Sequence, residues 1–292
     1  MILVFGSINI DLLLPVPQLP IAGETVLGGD YRLLPGGKGA NQALAARRAG
    51  AAVAIAGAVG EDAFAALALA NLRADGIDLD LLRRVERPTG CAAIMVDQGG
   101  ENLIAVAPGA NRAAVAAAVS DAALGRYTTV VCQMEVPAAE TAALIRRART
   151  AGSRVVLNLA PALPLDPAVL AEIDLLVANR IEAATFRREP EALARLLRQA
   201  LVVTAGAEGA VAYLADGGRI RVPALAIEPV DTTGAGDTFV GVLAAGLDQG
   251  LRLEPALRRA SAAAGLACLA PGAQTAMPNS AAIDAAVARL AH

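Results

Sequence analysis

The sequence predicts an α/β protein, in which a mostly parallel central sheet is covered by helices on both faces. Short apolar runs of strand length alternate with amphipathic segments rich in Ala, Leu and Arg, at the spacing of βαβ units. The 292 residues suffice for one large domain of this class. Hydrophobic residues make up 55% of the chain but aromatic residues only 2%, so small aliphatic side chains are expected to fill the core.

The elements follow from this alternation in chain order. The predicted strands are Ile2–Ile8, Val53–Val59, Cys91–Val96, Leu103–Ala107, Thr129–Cys132, Arg154–Leu157, Leu175–Ala178, Leu201–Val203 and Val211–Leu214. The predicted helices are Ala40–Ala49, Asp62–Ala74, Ala138–Ala151, Glu191–Gln199, Ala235–Leu247, Glu254–Leu269 and Ala281–Leu290.

Two stretches depart from the βαβ rhythm. Residues 11–35 contain Pro15, Pro17 and Pro20 and several glycines, which indicates strands and turns. Residues 88–107 predict a hairpin whose turn is Asp97-Gln98-Gly99-Gly100-Glu101. We expect these stretches to form one small antiparallel sheet that stands off the main sheet. Because no linker divides the chain, residues 1–292 are predicted to form a single domain.

Composition excludes several classes of function. The net charge is −3 and the arginines are scattered, which argues against a nucleic-acid partner. No uncharged apolar run has membrane-span length and suitable flanks, so no membrane partner is expected. Cys91, Cys132 and Cys268 lie among apolar neighbours and read as buried thiols of a cytoplasmic protein. The single histidine is His292, so proton transfer falls to a carboxylate, lysine, tyrosine or cysteine.

Lys38 is the one lysine among 25 basic residues. It lies in the glycine-flanked segment Pro35-Gly36-Gly37-Lys38-Gly39-Ala40-Asn41. A compact ammonium fits a tight polar pocket that a planar guanidinium would overfill, and glycines let the backbone approach a ligand closely. This pattern favours a small-molecule site over a surface turn.

A polar residue also follows five of the predicted parallel strands. These residues are Asn9 with Asp11, Glu135, Asn158, Asn179 and Thr204. Ligands of open α/β sheets bind beyond the carboxyl ends of the strands. One such residue would be an ordinary turn former, but the set predicts a ligand cleft.

A second glycine-rich segment, Asp231-Thr232-Thr233-Gly234-Ala235-Gly236-Asp237-Thr238-Phe239, opens a predicted helix. The unpaired amides and the dipole of a helix start favour an anion such as phosphate. Asp237 beside them suits a base that deprotonates an attacking alcohol, and it equally suits a helix cap. Neither glycine-rich segment fits the Walker A or dinucleotide pattern.

Together these segments resemble the ribokinase (PfkB) family of carbohydrate kinases, from about Ile2 to Pro278. The resemblance rests on Gly36-Gly37-Lys38-Gly39-Ala40-Asn41-Gln42-Ala43, on the segment 231–239, and on Asn179-Arg180-Ile181-Glu182. It implies the family's three-layer sandwich, with a small antiparallel β lid from about 11–35 and 88–107. The lid is often a dimer surface in the family, so a homodimer through the lid is expected.

The resemblance also implies a function. The segment Gly6-Ser7-Ile8-Asn9-Ile10-Asp11 is similar to the first strand of members that phosphorylate D-ribose at its 5-hydroxyl with ATP. Asp237 would be the general base, and the amides of Gly234, Ala235 and Gly236 would form the anion hole. The implied sugar-binding residues are Asn9, Asp11, Gly37, Lys38, Asn41, Glu135 and Asp237.

The same resemblance implies binding residues for the nucleotide and two ions. ATP would contact Asn179, Thr204, Gly206, Glu208, Gly209, Gly236, Ser261 and Ala264. Glu182 would orient Mg²⁺ through water. A monovalent cation, K⁺, would be held by the Asp231 carboxylate, by carbonyls of Thr233, Ala267, Ala270 and Gly272, and near Ala276. Ala270 and Ala276 depart from the family, which often has arginine and a hydroxyl residue there.

Two rival functions remain at this stage. One is a kinase of the same fold that acts on deoxyribose, fructose, adenosine or pseudouridine, because the lid residues that shape the pocket cannot be placed from sequence. The other is a non-catalytic sugar-binding module, which the retained Asp237 and the intact glycine segment oppose.

Overall fold

The computed structural model describes residues 1–290, so His292 lies outside the described residues. Its main sheet has nine strands in the order β13-β12-β11-β10-β9-β8-β1-β4-β5. The bounds are β1 Ile2–Phe5, β2 Asn9–Pro15, β3 Arg32–Gly36, β4 Val53–Gly60, β5 Leu82–Val85, β6 Gly90–Val96, β7 Asn102–Ala107, β8 Thr129–Cys132, β9 Arg154–Asn158, β10 Leu175–Asn179, β11 Ala200–Thr204, β12 Ala210–Leu214 and β13 Arg219–Val222. Pairing is parallel from β5 to β11 and antiparallel for β12 and β13.

The helices lie on both faces of this sheet. Their bounds are α1 Lys38–Arg48, α2 Ala63–Ala68, α3 Ala70–Ala74, α4 Asp121–Leu124, α5 Ala138–Thr150, α6 Pro167–Leu170, α7 Arg180–Ala184, α8 Pro190–Ala194, α9 Ala235–Asp248, α10 Leu253–Ala267, α11 Ala273–Ala276 and α12 Ser280–Val287. Short 3₁₀ turns span Gly109–Ala113, Ala116–Ala118 and Gly206–Glu208. None of the helices within 1–290 has both the length and the apolar character needed to cross a membrane.

Strand β1 shows how the two faces form. Ile2 and Val4 pack into the core that contains α1, α9 and α10, whereas Leu3 and Phe5 pack into the core on the other face, with α5. All four are buried, as expected for a parallel strand covered by helices on both faces. The α/β class and the three-layer arrangement are confirmed.

Some predicted bounds were wrong. The strand predicted at Ile2–Ile8 ends at Phe5, because the chain turns through Gly6 and Ser7 into the small sheet. The helix predicted at Asp62–Ala74 is interrupted at Leu69. Strands β5 and β13 were not predicted from the sequence, because the arginines in each interrupt the apolar signal of an edge strand.

The small sheet, here called the lid, has the strand order β3-β2-β6-β7. The predicted hairpin is confirmed, since β6 and β7 pair antiparallel, as do β2 and β3. The central pair, β2 and β6, is parallel, with Asn9 opposite Gly90. The reason is topological. Strand β2 follows the carboxyl end of β1 and β6 follows that of β5, and β1 and β5 run in the same direction in the main sheet.

Candidate active site

The carboxyl ends of the parallel strands meet at one cleft, as the sequence predicted. The cleft has a cavity volume of about 170 Å³. Its polar and glycine lining comes from α1, β9, β10, α7, β11 and the start of α9, and consists of Lys38, Asn158, Asn179, Glu182, Thr204, Gly234, Gly236 and Asp237.

Helix α9 begins at this cleft. Gly234 precedes it with φ 76°, and a Cβ there would lie 2.7 Å from the Cβ of Ala273, so this turn favours glycine. The Ala235 amide donates to the Thr232 carbonyl at 3.2 Å. The amides of Gly234 and Gly236 have no hydrogen-bond acceptor within residues 1–290. Two of the three amides predicted for the anion hole are therefore unpaired, and the third closes the turn.

Asp237 lies in the first turn of α9 and is only 8% exposed. Its Oδ2 accepts a hydrogen bond from Asn41 Nδ2 at 3.0 Å, and its Oδ1 accepts one from Gln42 Nε2 at 2.9 Å. The helix has no side-chain cap. The alternative of a simple helix cap is therefore wrong, because both carboxylate oxygens are held by side chains of α1.

On the lid side of the cleft, the side chain of Asn9 is held in place by Asn111. The Asn111 Nδ2 donates to Asn9 Oδ1 at 2.7 Å, while Asn111 Oδ1 accepts from the Ile8 amide at 2.9 Å. A Cβ on Gly90 would lie 2.2 Å from Asn9 Oδ1, and one on Gly37 would lie 2.7 Å from the Asn9 amide nitrogen. These contacts leave the amide group of Asn9 as a donor for a ligand.

Asp11 is the most strongly perturbed carboxylate of the site. Burial, with the charges of Glu135 and Asp237, raises its pKa to about 6, against a smaller lowering by Lys38. A Cβ on Gly36 would lie 2.3 Å from Asp11 Oδ2, so glycine makes room for this carboxylate beside β3.

Glu135 fixes the start of α1, which has no side-chain cap of its own. Its Oε2 accepts hydrogen bonds from the Lys38 amide at 3.1 Å and from Ser7 Oγ at 2.5 Å. A negative carboxylate at a helix N-terminus is stabilised by the helix dipole. Glu135 thus orients the predicted sugar-binding segment as well as lying near Asp11.

The Lys38 ammonium lies among carboxylates. Burial lowers its pKa, but the charges of Asp237, Glu135, Glu182 and Asp11 outweigh burial and hold the pKa above its ordinary value. Lys38 therefore stays charged where the sugar side of the cleft meets the phosphate side.

A second, more apolar groove adjoins the cleft. Its cavity volume of about 370 Å³ lies within the range of roughly 300–1,000 Å³ typical of small-molecule sites. Thr204 and Gly236 line both cavities. The groove is also lined by the predicted nucleotide residues Gly206, Gly209, Ser261 and Ala264, and by Leu225, Ile227 and Phe239.

Two predicted nucleotide residues are engaged differently. The Glu208 carboxylate is exposed and forms a two-pronged ion pair with Arg180, and Glu208 does not line the groove. Asn179 lines the cleft, and its Oδ1 accepts from the Glu182 amide at 2.8 Å. In return Glu182 Oε2 accepts from the Asn179 amide at 2.8 Å, which completes a capping box. Glu182 Oε1 has no partner within residues 1–290, so the residue fits a role toward a hydrated Mg²⁺.

The segments predicted to hold a monovalent cation are adjacent. Asp231 Oδ2 accepts from the Gly272 amide at 2.8 Å, and Asp231 Oδ1 accepts from the Thr233 amide at 2.9 Å. Burial raises the pKa of Asp231, but the hydrogen bond from the Thr233 hydroxyl at 2.6 Å and those from the two amides outweigh burial and hold the pKa below its usual value. An ionised carboxylate, in contact with the backbone at residues 233 and 272, is a type of ligand that suits K⁺. Of the alanines, Ala267 is buried, Ala270 is exposed and Ala276 is half-buried.

Sequence reasoning missed the amide side chains that surround the base. Gln42, Gln133, Asn158 and Gln274 are buried and hydrogen-bonded to Asp237 or to its partners. Three of the seven glutamines of the chain are in this set, and only Gln42, which lies inside the glycine-rich segment 36–43, carried a signal in the sequence. Asn158, predicted only to lie in the cleft, accepts from Gln42 Nε2 at 3.0 Å.

Comparison with known proteins agrees with this geometry. The family model for pfkB family carbohydrate kinases matches residues 1–280. A ribokinase of Bacillus subtilis is 38% identical over 283 residues, covering 95% of this chain and 96% of that protein. The structure of Thermotoga maritima ribokinase superimposes with a TM-score of 0.91, at 29% identity, covering 98% of this chain and 99% of the other.

The Arabidopsis thaliana ribokinase structure, which contains ribose and ATP, gives a TM-score of 0.90 at 30% identity and covers 98% of each chain. The family model and the ribokinase relatives span nearly the whole chain, and the glycine segments that carry the family motifs meet at one cleft. This protein belongs to the pfkB family of carbohydrate kinases.

Proposed function

We propose that this enzyme transfers the γ-phosphoryl group of ATP to the 5-hydroxyl of D-ribose and releases ribose 5-phosphate and ADP. The observation that carries the proposal is the position of Asp237. Its buried carboxylate lies in the cleft at the start of α9, where the predicted sugar residues meet the groove that shares Gly236 with the cleft. A ribokinase of the same fold, from Arabidopsis, binds ribose and ATP.

The chemistry requires one proton transfer and charge stabilisation. Asp237 accepts the proton of the ribose 5-hydroxyl as that oxygen attacks the γ-phosphorus and the bond to the β-phosphate oxygen breaks. The unpaired amides of Gly234 and Gly236 donate to the phosphoryl oxygens, and Lys38 supplies positive charge at the same place. Asn9, Asp11, Asn41 and Glu135 hold the other hydroxyls.

Two ions complete the proposal. Mg²⁺ would neutralise charge on the triphosphate, and Glu182 would orient it through water. K⁺ would bind at Asp231 and the carbonyls of residues 233, 267, 270 and 272, next to the anion hole. Ala276 offers no hydroxyl there, so the coordination would rest on backbone oxygens and one carboxylate.

The test is the variant Asp237→Asn, which keeps shape and removes the base. Turnover with ribose, ATP and Mg²⁺ should fall by about 10²–10⁴, the usual contribution of a positioned general base. Asp248→Asn, at the other end of α9, is the matched control and should keep activity. Near-normal turnover in Asp237→Asn would exclude it as the base.

The acceptor is tested separately, with ribose, deoxyribose, fructose, adenosine and pseudouridine, each with and without K⁺. Ribose-dependent ADP release that K⁺ raises supports the proposal. Turnover with another acceptor alone would keep Asp237 as the base and assign a different substrate.

We further propose a cytoplasmic homodimer that associates through the lid. Every residue of the edge strand β7 is exposed, including Leu103, Ile104 and Val106, at 44%, 54% and 53%. An apolar edge strand of this kind favours pairing with a second copy. Light scattering of the enzyme and of Ile104→Lys tests the dimer, which the charge should weaken.

A further inference from the structure

The Asp237 carboxylate is held at the end of two chains of side-chain amides. The first chain runs through three residues from different parts of the fold. Asn71 Nδ2 donates to Gln274 Oε1 at 2.9 Å, Gln274 Nε2 donates to Asn41 Oδ1 at 3.0 Å, and Asn41 Nδ2 donates to Asp237 Oδ2 at 3.0 Å. Every amide in this chain donates toward the carboxylate.

The second chain has the same direction. Gln133 Nε2 donates to Gln42 Oε1 at 2.7 Å, and Gln42 Nε2 donates to Asp237 Oδ1 at 2.9 Å. Gln42 and Gln133 are 0% exposed, and Gln274 is 2% exposed. Water therefore does not replace these bonds, and a reversed amide would place two oxygens in contact.

We propose that Gln274 and Gln42 are positioning residues that fix the orientation of the general base through these directed chains. The inference rests on the proposed role of Asp237. Asn41 donates to Asp237 while its oxygen accepts from Gln274, and turning the amide to face its oxygen toward the base would also point its NH2 group at Gln274 Nε2. The amide of Gln274 thus decides whether Asn41 presents its nitrogen or its oxygen to the carboxylate of Asp237.

Two consequences follow for the chemistry. With both oxygens held in a fixed plane, the remaining lone pairs of Asp237 face the cleft, where an acceptor hydroxyl would lie. The neutral amides do not take up a proton, so the proton accepted by Asp237 is not passed into the protein and leaves on the cleft side.

The backbone of Gln274 is anchored by contacts that do not involve its side chain. Its carbonyl accepts from Arg48 Nη1 at 2.6 Å, and Arg48 Nε is paired with Asp75 at 2.8 Å. Helix α11 is therefore anchored to α1 independently of the amide chain. Asn71, at the outer end, is only half-buried, so it tolerates substitution.

The experiment reverses the direction of the hydrogen bonds in the first amide chain, starting from Asn71 at its outer end. In Asn71→Asp the carboxylate accepts from Gln274 Nε2, which turns the Gln274 amide and then the Asn41 amide, and points Asn41 Oδ1 at the base. Losing a hydrogen bond to a charged group should lower kcat by about tenfold or more, and the KM for ribose should rise as well, because Asn41 is also proposed to hold a sugar hydroxyl. Asn71→Ala, which removes the outer donor without reversing anything, should lower kcat by less.

The decisive measurement is Asn71→Asp in the background Gln274→Met, a variant of similar shape that breaks the chain. A reversal passed along the amides disappears in this background, so kcat should match that of Gln274→Met alone within about twofold. A simple effect of the added charge would persist. Gln274→Glu is the second probe, one link closer, should Asn71→Asp fail to fold. Gln249→Glu, whose side chain contacts the Ala49 carbonyl outside the chain, controls for the substitution and should keep kcat.

Equal kcat for Asn71→Asp and Asn71→Ala, or an equal loss in both backgrounds, overturns the inference. Asp237→Asn is measured in the same series. If it is inactive while Asn71→Asp behaves like Asn71→Ala, only the positioning role fails. If Asp237→Asn is active, the proposed base and this inference fail together.

Discussion

The raised pKa of Asp11 predicts that sugar binding weakens in mild acid. Asp11 is proposed to accept hydrogen bonds from sugar hydroxyls, and an ionised carboxylate is a stronger acceptor than a carboxylic acid. The pKa of Asp11 is about 6. At pH 5 about nine in ten molecules then carry a protonated Asp11, so the affinity for ribose should be about tenfold lower than at pH 7.5. Between pH 7 and 8 the affinity should be nearly constant.

The same pKa shift affects folding stability in the opposite sense, because the ionised form that favours sugar binding disfavours the fold. Because the pKa is 3.8 in a model peptide and about 6 in the folded protein, the ionised carboxylate destabilises the fold. The penalty is small below about pH 4, grows between about pH 4 and 6, and amounts to at most about 3 kcal/mol at neutral pH. Asp11→Asn should therefore raise the free energy of unfolding at pH 7.5 while weakening ribose binding.

The assay is calorimetric titration of ribose without nucleotide from pH 5 to 8, with thermal unfolding in the same buffers. Asp11→Asn should bind weakly at every pH, because an amide does not titrate. An affinity for ribose that stays constant from pH 5 to 8 in the parent protein, or an Asp11→Asn variant less stable than the parent at pH 7.5, would refute the reasoning.

Three further predictions concern the surroundings of the site. Gly90→Ala should raise the KM for ribose by about tenfold or more, because the added Cβ displaces the Asn9–Asn111 pair. Gly125→Ala is the control, since a Cβ there has no neighbour closer than 3.7 Å. An unchanged KM in Gly90→Ala would contradict the assignment of Asn9 to the sugar. Asp231→Asn should raise the K⁺ concentration for half-maximal stimulation by about tenfold, since a charge-assisted ligand is lost, and turnover without K⁺ should stay at the parent value. Glu208→Ala should leave the KM for ATP within about twofold, because its carboxylate is exposed and paired with Arg180; a larger rise would place Glu208 on the nucleotide.

The sequence predicted the central strands and the cleft well, for an identifiable reason. Runs such as Thr129–Cys132 are apolar throughout, as buried parallel strands are, and the polar residue after each run marks the ligand edge. This pattern does not identify edge strands. The strands Leu82–Val85 and Arg219–Val222 expose arginines to water, so their sequences lack the continuous apolar run of a buried strand.

The amide chains were beyond prediction for a different reason. Asn71, Gln133 and Gln274 are distant in sequence from Asn41 and Gln42, and an amide has no charge or spacing pattern that announces a partner. Their proposed function depends on the direction of the hydrogen bonds between them, and that direction is set only when α1, α3 and α11 are packed together. The parallel centre of the lid was missed likewise, because it follows from the order of strands in another sheet.

That parallel pairing also bears on how the protein assembles. The hairpin of β6 and β7 closes over a few residues, whereas Asn9 meets Gly90 across 81 residues of chain, and the order of β1, β4 and β5 must exist first. Contacts of such long separation form late, because the entropy of closing the loop is lost before the strands pair. We therefore expect destabilising lid variants to speed unfolding while leaving the refolding rate nearly unchanged. The lid, which covers the proposed sugar site, would then be the last part of the protein to fold and the first to unfold.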